Sequence, residues 1–239
     1  MKSIIAVLFV CLFCFSMQAQ DLKPAPEGMT AEKLIGKYIE AIGGAARLNK
    51  VNSISVWAKT EIQGYEVWIT THTARGNKYF MELGTPDMSI QKQVSDGEKA
   101  YALVMGQRMN IDGEDFENIK KEAEMFPEMK YAEMGIVMEL LGIVVVNDRD
   151  AYKIKLVFPA GNEVFEFYDA ETFLKVRTER TLESDKGKVF ILSDLGDYRA
   201  VKGVKFPYIL RQEVGPDIME MTVTLVQLNK AKASVFLID

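Results

Sequence analysis

From Ser53 onward, apolar and polar residues alternate in short runs, and turn residues cut those runs at close intervals. Ile54, Val56, Ala58 and Ile62 share one face of the first run; Gly64 turns the chain, and Tyr65, Val67 and Ile69 take up the alternation again. Tyr79, Met81 and Leu83 follow, then Met88, Ile90 and Val94, before Ser95-Asp96-Gly97 leads into AYALVM. The pattern returns with Tyr152, Ile154, Leu156 and Phe158, with Lys153 and Lys155 on the opposite side. Turn signals at Gly161-Asn162, Asp169–Thr172, Lys186-Gly187 and Lys202-Gly203 divide the remainder, and Val204, Phe206, Tyr208 and Leu210 alternate after the last of them. A period of two broken by short turns makes successive strands pair antiparallel, without the crossover helices of a parallel sheet. The chain reads as a β-rich α+β protein built on a meander of about eleven strands.

Two stretches depart from that period. Leu34, Ile35, Tyr38, Ile39 and Ile42 recur at helical spacing behind Thr30, a candidate N-cap, and Gly43-Gly44 mark the stop. In the middle, Phe116, Ile119, Ala123 and Phe126 share a helical face, with Glu114 or Asp115 near the cap and Pro127 as the terminator. Glu133 to Leu141 read as a second helical segment stopped by Gly142, which makes residues 113–142 a helical insertion between two halves of the sheet.

The N-terminus has the layout of a secretory leader. A short basic segment, Met1-Lys2-Ser3, precedes an apolar run from Ile4 to Phe15, which is too short to cross a bilayer comfortably. Cleavage is expected after Ala19 or Gln20, giving a leader over residues 1–19, a proline-containing lead-in over 20–29 and one domain over 30–239. No later run is apolar enough for a membrane helix. Cys11 and Cys14 both fall in the leader, so the mature chain is expected to hold no disulfide and no cysteine-ligated metal. The formal net charge of the whole chain is −5, an acidic balance that argues against nucleic acid as the main partner.

The sequence offers little for covalent chemistry. His72 is the single histidine, no G-x-S-x-G stretch occurs, and the ordinary reading of ITTHTARGN is a histidine on a sheet face. The acidic run Asp112–Glu117 lacks calcium-loop spacing and reads as charge at a helix N-terminus. No cofactor or metal is called for, although a carboxylate-dependent hydrolase remains an alternative, because sequence does not show which acids meet across a cleft.

Methionines stand out instead. Met105, Met109, Met125, Met129, Met134 and Met138 lie in or beside the helical insertion. They can fill gaps between helices and a curved sheet, or form a pliable lid over an apolar cavity. The aromatic residues carry the same ambiguity. Trp57 and Trp68 point away from Val56 and Val67, and Phe165 and Phe167 away from Val164 and Tyr168, so both faces of the sheet carry large apolar groups. One face can take the helices, and the other can line a ligand site or meet a protein. The candidate cavity lining is Trp57, Trp68, Phe80, Tyr101, Met105, Met125, Met134, Met138, Phe165 and Phe167.

Five stretches resemble one family in their content and order: AEKLIGKYIEAIGGAARLNKVNSI, VSDGEKAYAL, MELLGIVVVNDRDAYKIKLVF, EFYDAETFLKVRTE and DYRAVKGVKFPYILRQ. The chain is similar to the LolA/LolB-like periplasmic lipoprotein carriers, and most of all to the outer-membrane lipoprotein-sorting-like domains of Bacteroidetes-type bacteria. A related domain forms the tail of some insulinase-type peptidases, but their H-x-x-E-H pattern is absent here. The resemblance implies an incomplete antiparallel β-barrel wrapped around the N-terminal helix and the central insertion. It also implies a non-enzymatic periplasmic protein whose partners are lipid or lipoprotein acyl chains. A non-catalytic module that binds another envelope protein is the alternative.

Overall fold

The computed structural model describes residues 22–184 and 187–238; the expected leader lies outside them. Helix α1 spans Ala31–Ile42. The Thr30 hydroxyl accepts a hydrogen bond from the Lys33 amide at 3.3 Å, satisfying one of the free N–H groups of the first turn. Its apolar face buries Leu34, Ile35, Tyr38 and Ile42. Gly43 ends it with φ of +142°, and a Cβ there would lie 2.7 Å from the Gly203 carbonyl oxygen, so only glycine allows the approach. A short helix α2, Ala45–Leu48, follows.

Six strands come next: β1 Ser53–Ile62, β2 Tyr65–Ala74, β3 Lys78–Thr85, β4 Met88–Ser95, β5 Ala100–Val104 and β6 Gln107–Ile111. Helix α3, Gly113–Glu122, and a 3-10 turn, Pro127–Met129, interrupt the meander. It resumes with β7 Val137–Val146, β8 Arg149–Val157, β9 Glu163–Asp169, β10 Lys175–Ser184, β11 Gly187–Val201, β12 Val204–Val214 and β13 Asp217–Leu228. The described strands form one antiparallel sheet in the order β6-β5-β4-β3-β2-β1-β13-β12-β11-β10-β9-β8-β7. β1 pairs with β13 in mid-sheet, so the two edges, β6 and β7, are consecutive in sequence. The barrel is left open between them, and residues 112–136 cross from one edge to the other.

The α+β, β-rich class holds, with thirteen strands rather than about eleven. Part of the difference lies in the insertion. The segment Glu133–Leu141, expected to be helical, enters β7 at Val137, and Gly142 is a kink inside the strand rather than a helix stop. The β-branched run Ile143-Val144-Val145-Val146 and full pairing with β8 override the helical preference of Met-Glu-Leu-Leu. At Gly142 the pairing shifts register, and the lead-in approaches so closely that a Cβ would collide with the Lys23 carbonyl oxygen. Lys23 pairs there with Ile143 as an isolated bridge. Helix α3 likewise ends at Glu122, before Pro127, which instead starts the 3-10 turn.

Because the strands run up and down, their turns gather at two rims. The first rim holds the turns after β1, β3, β5, β8 and β12. The second holds those after β2, β4, β7, β9 and β11, together with the C-terminal end of α1. The main core joins Leu34, Ile35 and Tyr38 of α1 to Ile54 of β1, Ile154 and Leu156 of β8, Tyr168 of β9, Tyr208 of β12 and Val226 of β13. Strands so far apart in the sheet reach one twelve-residue helix only because the sheet curves around it.

Candidate functional site: a concave apolar face and its latched lid

Alternation puts Val56, Ala58 and Thr60 of β1 on the face that holds α1. Cross-strand pairing extends that face to Ile69, Leu83 and Met81 on one side and to Val223, Met221 and Leu210 on the other. These six side chains are only half-buried. α1 covers the part of the concavity near the second rim, and toward the first rim the same face presents aliphatic side chains. Residues 123–138 form the lid. Met125, Phe126, Met129, Met134 and Met138 from this segment pack against the α1 core. Where the lid meets the second rim, a cavity of about 190 Å³ lies among Leu48, Val51, Arg75, Met125, Phe126 and Met129. Arg75 is held at its edge by hydrogen bonds to the carbonyl oxygens of Val51 (3.2 Å) and Asn49 (2.6 Å).

A buried polar cluster fastens the lid. The Lys175 ammonium lies 2.6 Å from a Glu128 carboxylate oxygen and also contacts Glu166. Tyr131 donates to one oxygen of Glu166 at 2.9 Å, and Tyr168 to the other at 2.5 Å. The Tyr198 hydroxyl donates to the Lys175 carbonyl oxygen at 2.7 Å, and Tyr38 of α1 packs edge-on to Tyr168 with ring centroids 5.2 Å apart. Glu128 and Tyr131 belong to the lid, Glu166 and Tyr168 to β9, and Lys175 to β10. Burial opposes the charge on Lys175, but the Glu128 and Glu166 carboxylates outweigh it and raise the pKa well above the ordinary lysine value. Burial, and then Glu166, push the hydroxyls of Tyr131 and Tyr168 well above the usual tyrosine range. Lys175 therefore stays charged around neutral pH, held between the two carboxylates. It ties down a segment whose other contacts are mostly methionine.

The candidate lining residues separate into groups. Met125, Met134 and Met138 meet around α1. Trp57, Trp68, Phe80 and Tyr101 lie on the opposite face. There His72 packs edge-to-face with Trp57 (ring centroids 5.4 Å apart), lies tilted beside Phe80 at 5.3 Å and shares a 2.8 Å hydrogen bond with Ser55. Phe80 and Tyr101 are covered by the C-terminal segment, through Ala231, Val235 and Phe236. Phe165 and Phe167 also point away from α1 and pack with Val144, Val146 and Ala151. Met105 lies in the exposed β5–β6 turn. Sequence reading missed Lys175, Glu128, Glu166 and Tyr131. One signal was available, since Glu166 alternates in phase with Val164 and Tyr168 and so must face the core. Such a carboxylate demands a buried partner.

Neither a family model nor a curated protein sequence matches the chain. Solved structures do. A DUF1329 family protein from Desulfovibrio piger superposes with a TM-score of 0.60 at 10% identity, over 86% of this chain and 96% of that one. A LolA superfamily protein from Nitrosomonas europaea gives 0.57 at 12% identity, over 87% and 98%. A putative outer membrane lipoprotein-sorting protein domain from Vibrio parahaemolyticus gives 0.51 at 10% identity, over 83% and 94%. The open thirteen-stranded sheet curved around α1, with its lid between the two edges, is a LolA-like fold.

Proposed function

We propose that the protein is a non-enzymatic carrier that holds the acyl chains of a lipid or lipoprotein against its concave face. In this reading it works in the periplasm after removal of residues 1–19, with residues 30–239 acting as one LolA-like unit. The observation that carries the reading is the half-buried aliphatic surface of Ile69, Met81, Leu83, Leu210, Met221 and Val223, which continues the α1 core toward the first rim. An acyl chain laid there leaves water at a gain of about 0.8 kcal/mol per methylene. Met134 and Met138, flexible and polarizable, would repack around chains of different length. The remaining candidate residues on the opposite face, Trp57, Trp68, Phe80, Tyr101, Phe165 and Phe167, would serve the carrier by stiffening its wall.

Native mass spectrometry of protein purified without detergent, followed by organic extraction, tests the reading. A co-purifying lipid or acylated peptide supports it. An empty protein that also fails to take up a fluorescent fatty acid or lipopeptide refutes it and favours the protein-interaction module.

A further inference from the structure

The two rims differ in chemistry. Turns of the second rim present polar residues: Asn147-Asp148 after β7, Lys202-Gly203 after β11, and the turn closed by Asp96, whose carboxylate accepts from the Glu98 and Lys99 amides. The first rim presents Tyr65 (72% exposed), Met88, Met105 (64%), Val137, Phe190 and Ile218 (62%) at or beside its hairpin turns. Phe190 belongs here because its carbonyl oxygen accepts from the Gly215 amide of the β12–β13 turn. Met105 adds a second signal. It has φ of +50° in a tight turn, a conformation that favours asparagine or glycine, yet its side chain is left in solvent. The fold gains nothing from an apolar residue at that position.

We infer that the first rim is a membrane-docking surface, which seats the open end of the concavity on a zwitterionic lipid bilayer. Thirteen strands at about 4.8 Å each spread these side chains along roughly 60 Å of curved rim, too dispersed for one peptide groove but accessible to a fluid apolar phase. Tyr65, with an apolar ring and a polar hydroxyl, suits the headgroup boundary. Charge selects the kind of bilayer. Behind the tips, Lys59 pairs with Glu66, Lys155 with Glu163 and Arg211 with Glu213, and Arg108 lies over the Tyr101 ring, while the described turns carry Asp87 and Asp217. Among the described residues the cations near the rim are engaged within the protein, so no free cationic cluster draws anionic headgroups and the contact is apolar.

The test is flotation with phosphatidylcholine vesicles. It uses protein isolated after export, its N-terminus fixed by mass so that residues 4–15 do not contribute. Tyr65→Thr, Met105→Asn and Ile218→Thr are combined, each suited to its backbone. Val145→Thr with Leu225→Thr removes exposed apolar residues away from the rim as a control. The wild type and the control should float, and the rim variant should partition at least about tenfold less, since three side chains leave the interface. Adding phosphatidylglycerol should bring no gain, and salt no loss. Failure of the wild type to float, equal flotation of the rim variant, equal loss in the control, or binding that needs phosphatidylglycerol and vanishes in salt would overturn the inference. So would a wild-type dimer that does not float and that the rim substitutions split, since the rim would then join two copies. Uptake of a fluorescent fatty acid in vesicle-free solution is read separately. If it fails while flotation persists, the carrier reading falls and the docking surface stands.

Discussion

Lys175→Met is the sharpest probe of the latch. The substitution keeps the length and apolar stem of the side chain and removes only its charge. Two carboxylates, Glu128 and Glu166, then remain buried without their shared cation; Glu166 keeps Tyr131 and Tyr168 as donors, and Glu128 loses its ion-pair partner. Breaking a buried pair from one side costs about 3–5 kcal/mol. In a domain of this size each kcal/mol moves the melting midpoint by about 2–4 °C, so a fall of roughly 6–20 °C is expected at pH 7. Urea titration and thermal melts give the number. The sign of the pH dependence is a second check. In the wild type the Lys175 pKa is raised in the folded state. The stability it supplies is therefore complete below the unfolded lysine value, near pH ~10, and is lost only as the solution becomes more alkaline than that. In Lys175→Met the orphaned carboxylates prefer to be protonated in the folded state, so the variant should recover stability relative to wild type as pH falls toward about 4. Adding Glu166→Gln should also recover part of the loss, a coupling of about 1–3 kcal/mol in a double-mutant cycle. A loss below about 1 kcal/mol at pH 7, or a deficit that does not shrink in acid, would show that Lys175, Glu128 and Glu166 do not form a buried ion-paired latch.

Two further outcomes follow from the site. Met138→Asp should weaken binding of a fluorescent fatty acid by more than its effect on stability accounts for. Met138 is half-buried on the lid side, where a carboxylate costs about 1–3 kcal/mol, but an acyl chain would lie directly against it; equal losses measured by titration and by urea melts would contradict the lid reading. His72 is held below its ordinary pKa by burial, so the unfolded chain binds its proton first and stability should fall as pH drops below about 6.5. His72→Gln should flatten that part of the stability–pH curve, and an unchanged slope would mean that other groups cause it.

The sheet was legible because a half-buried strand announces itself through side-chain parity. Val56 against Trp57, and Val164 and Tyr168 against Phe165 and Phe167, fall on the faces that alternation assigned to them. The first helix was legible because its cap, its apolar face and its glycine stop lie within fifteen residues of sequence. What stayed hidden depends on contacts between distant segments. Parity says that two faces differ but not which of them is concave, and that is settled by the pairing of β1 with β13, far apart in the chain. Trp57, Phe80 and Phe167 therefore lie on the face opposite the aliphatic one over which the helix and lid gather. The helical preference of Glu133–Leu141 is local, and pairing with β8 overrides it from Val137 onward. The latch was hidden for a related reason. Glu128, Glu166 and Lys175 look like three surface charges until the lid folds back over β9 and β10, and only Glu166, in phase with core residues, carried a local mark of burial. That phase is informative beyond this cluster. A charged residue standing on the apolar parity of a strand must find its counter-charge on a segment that folds over the sheet, and here the segment is the lid.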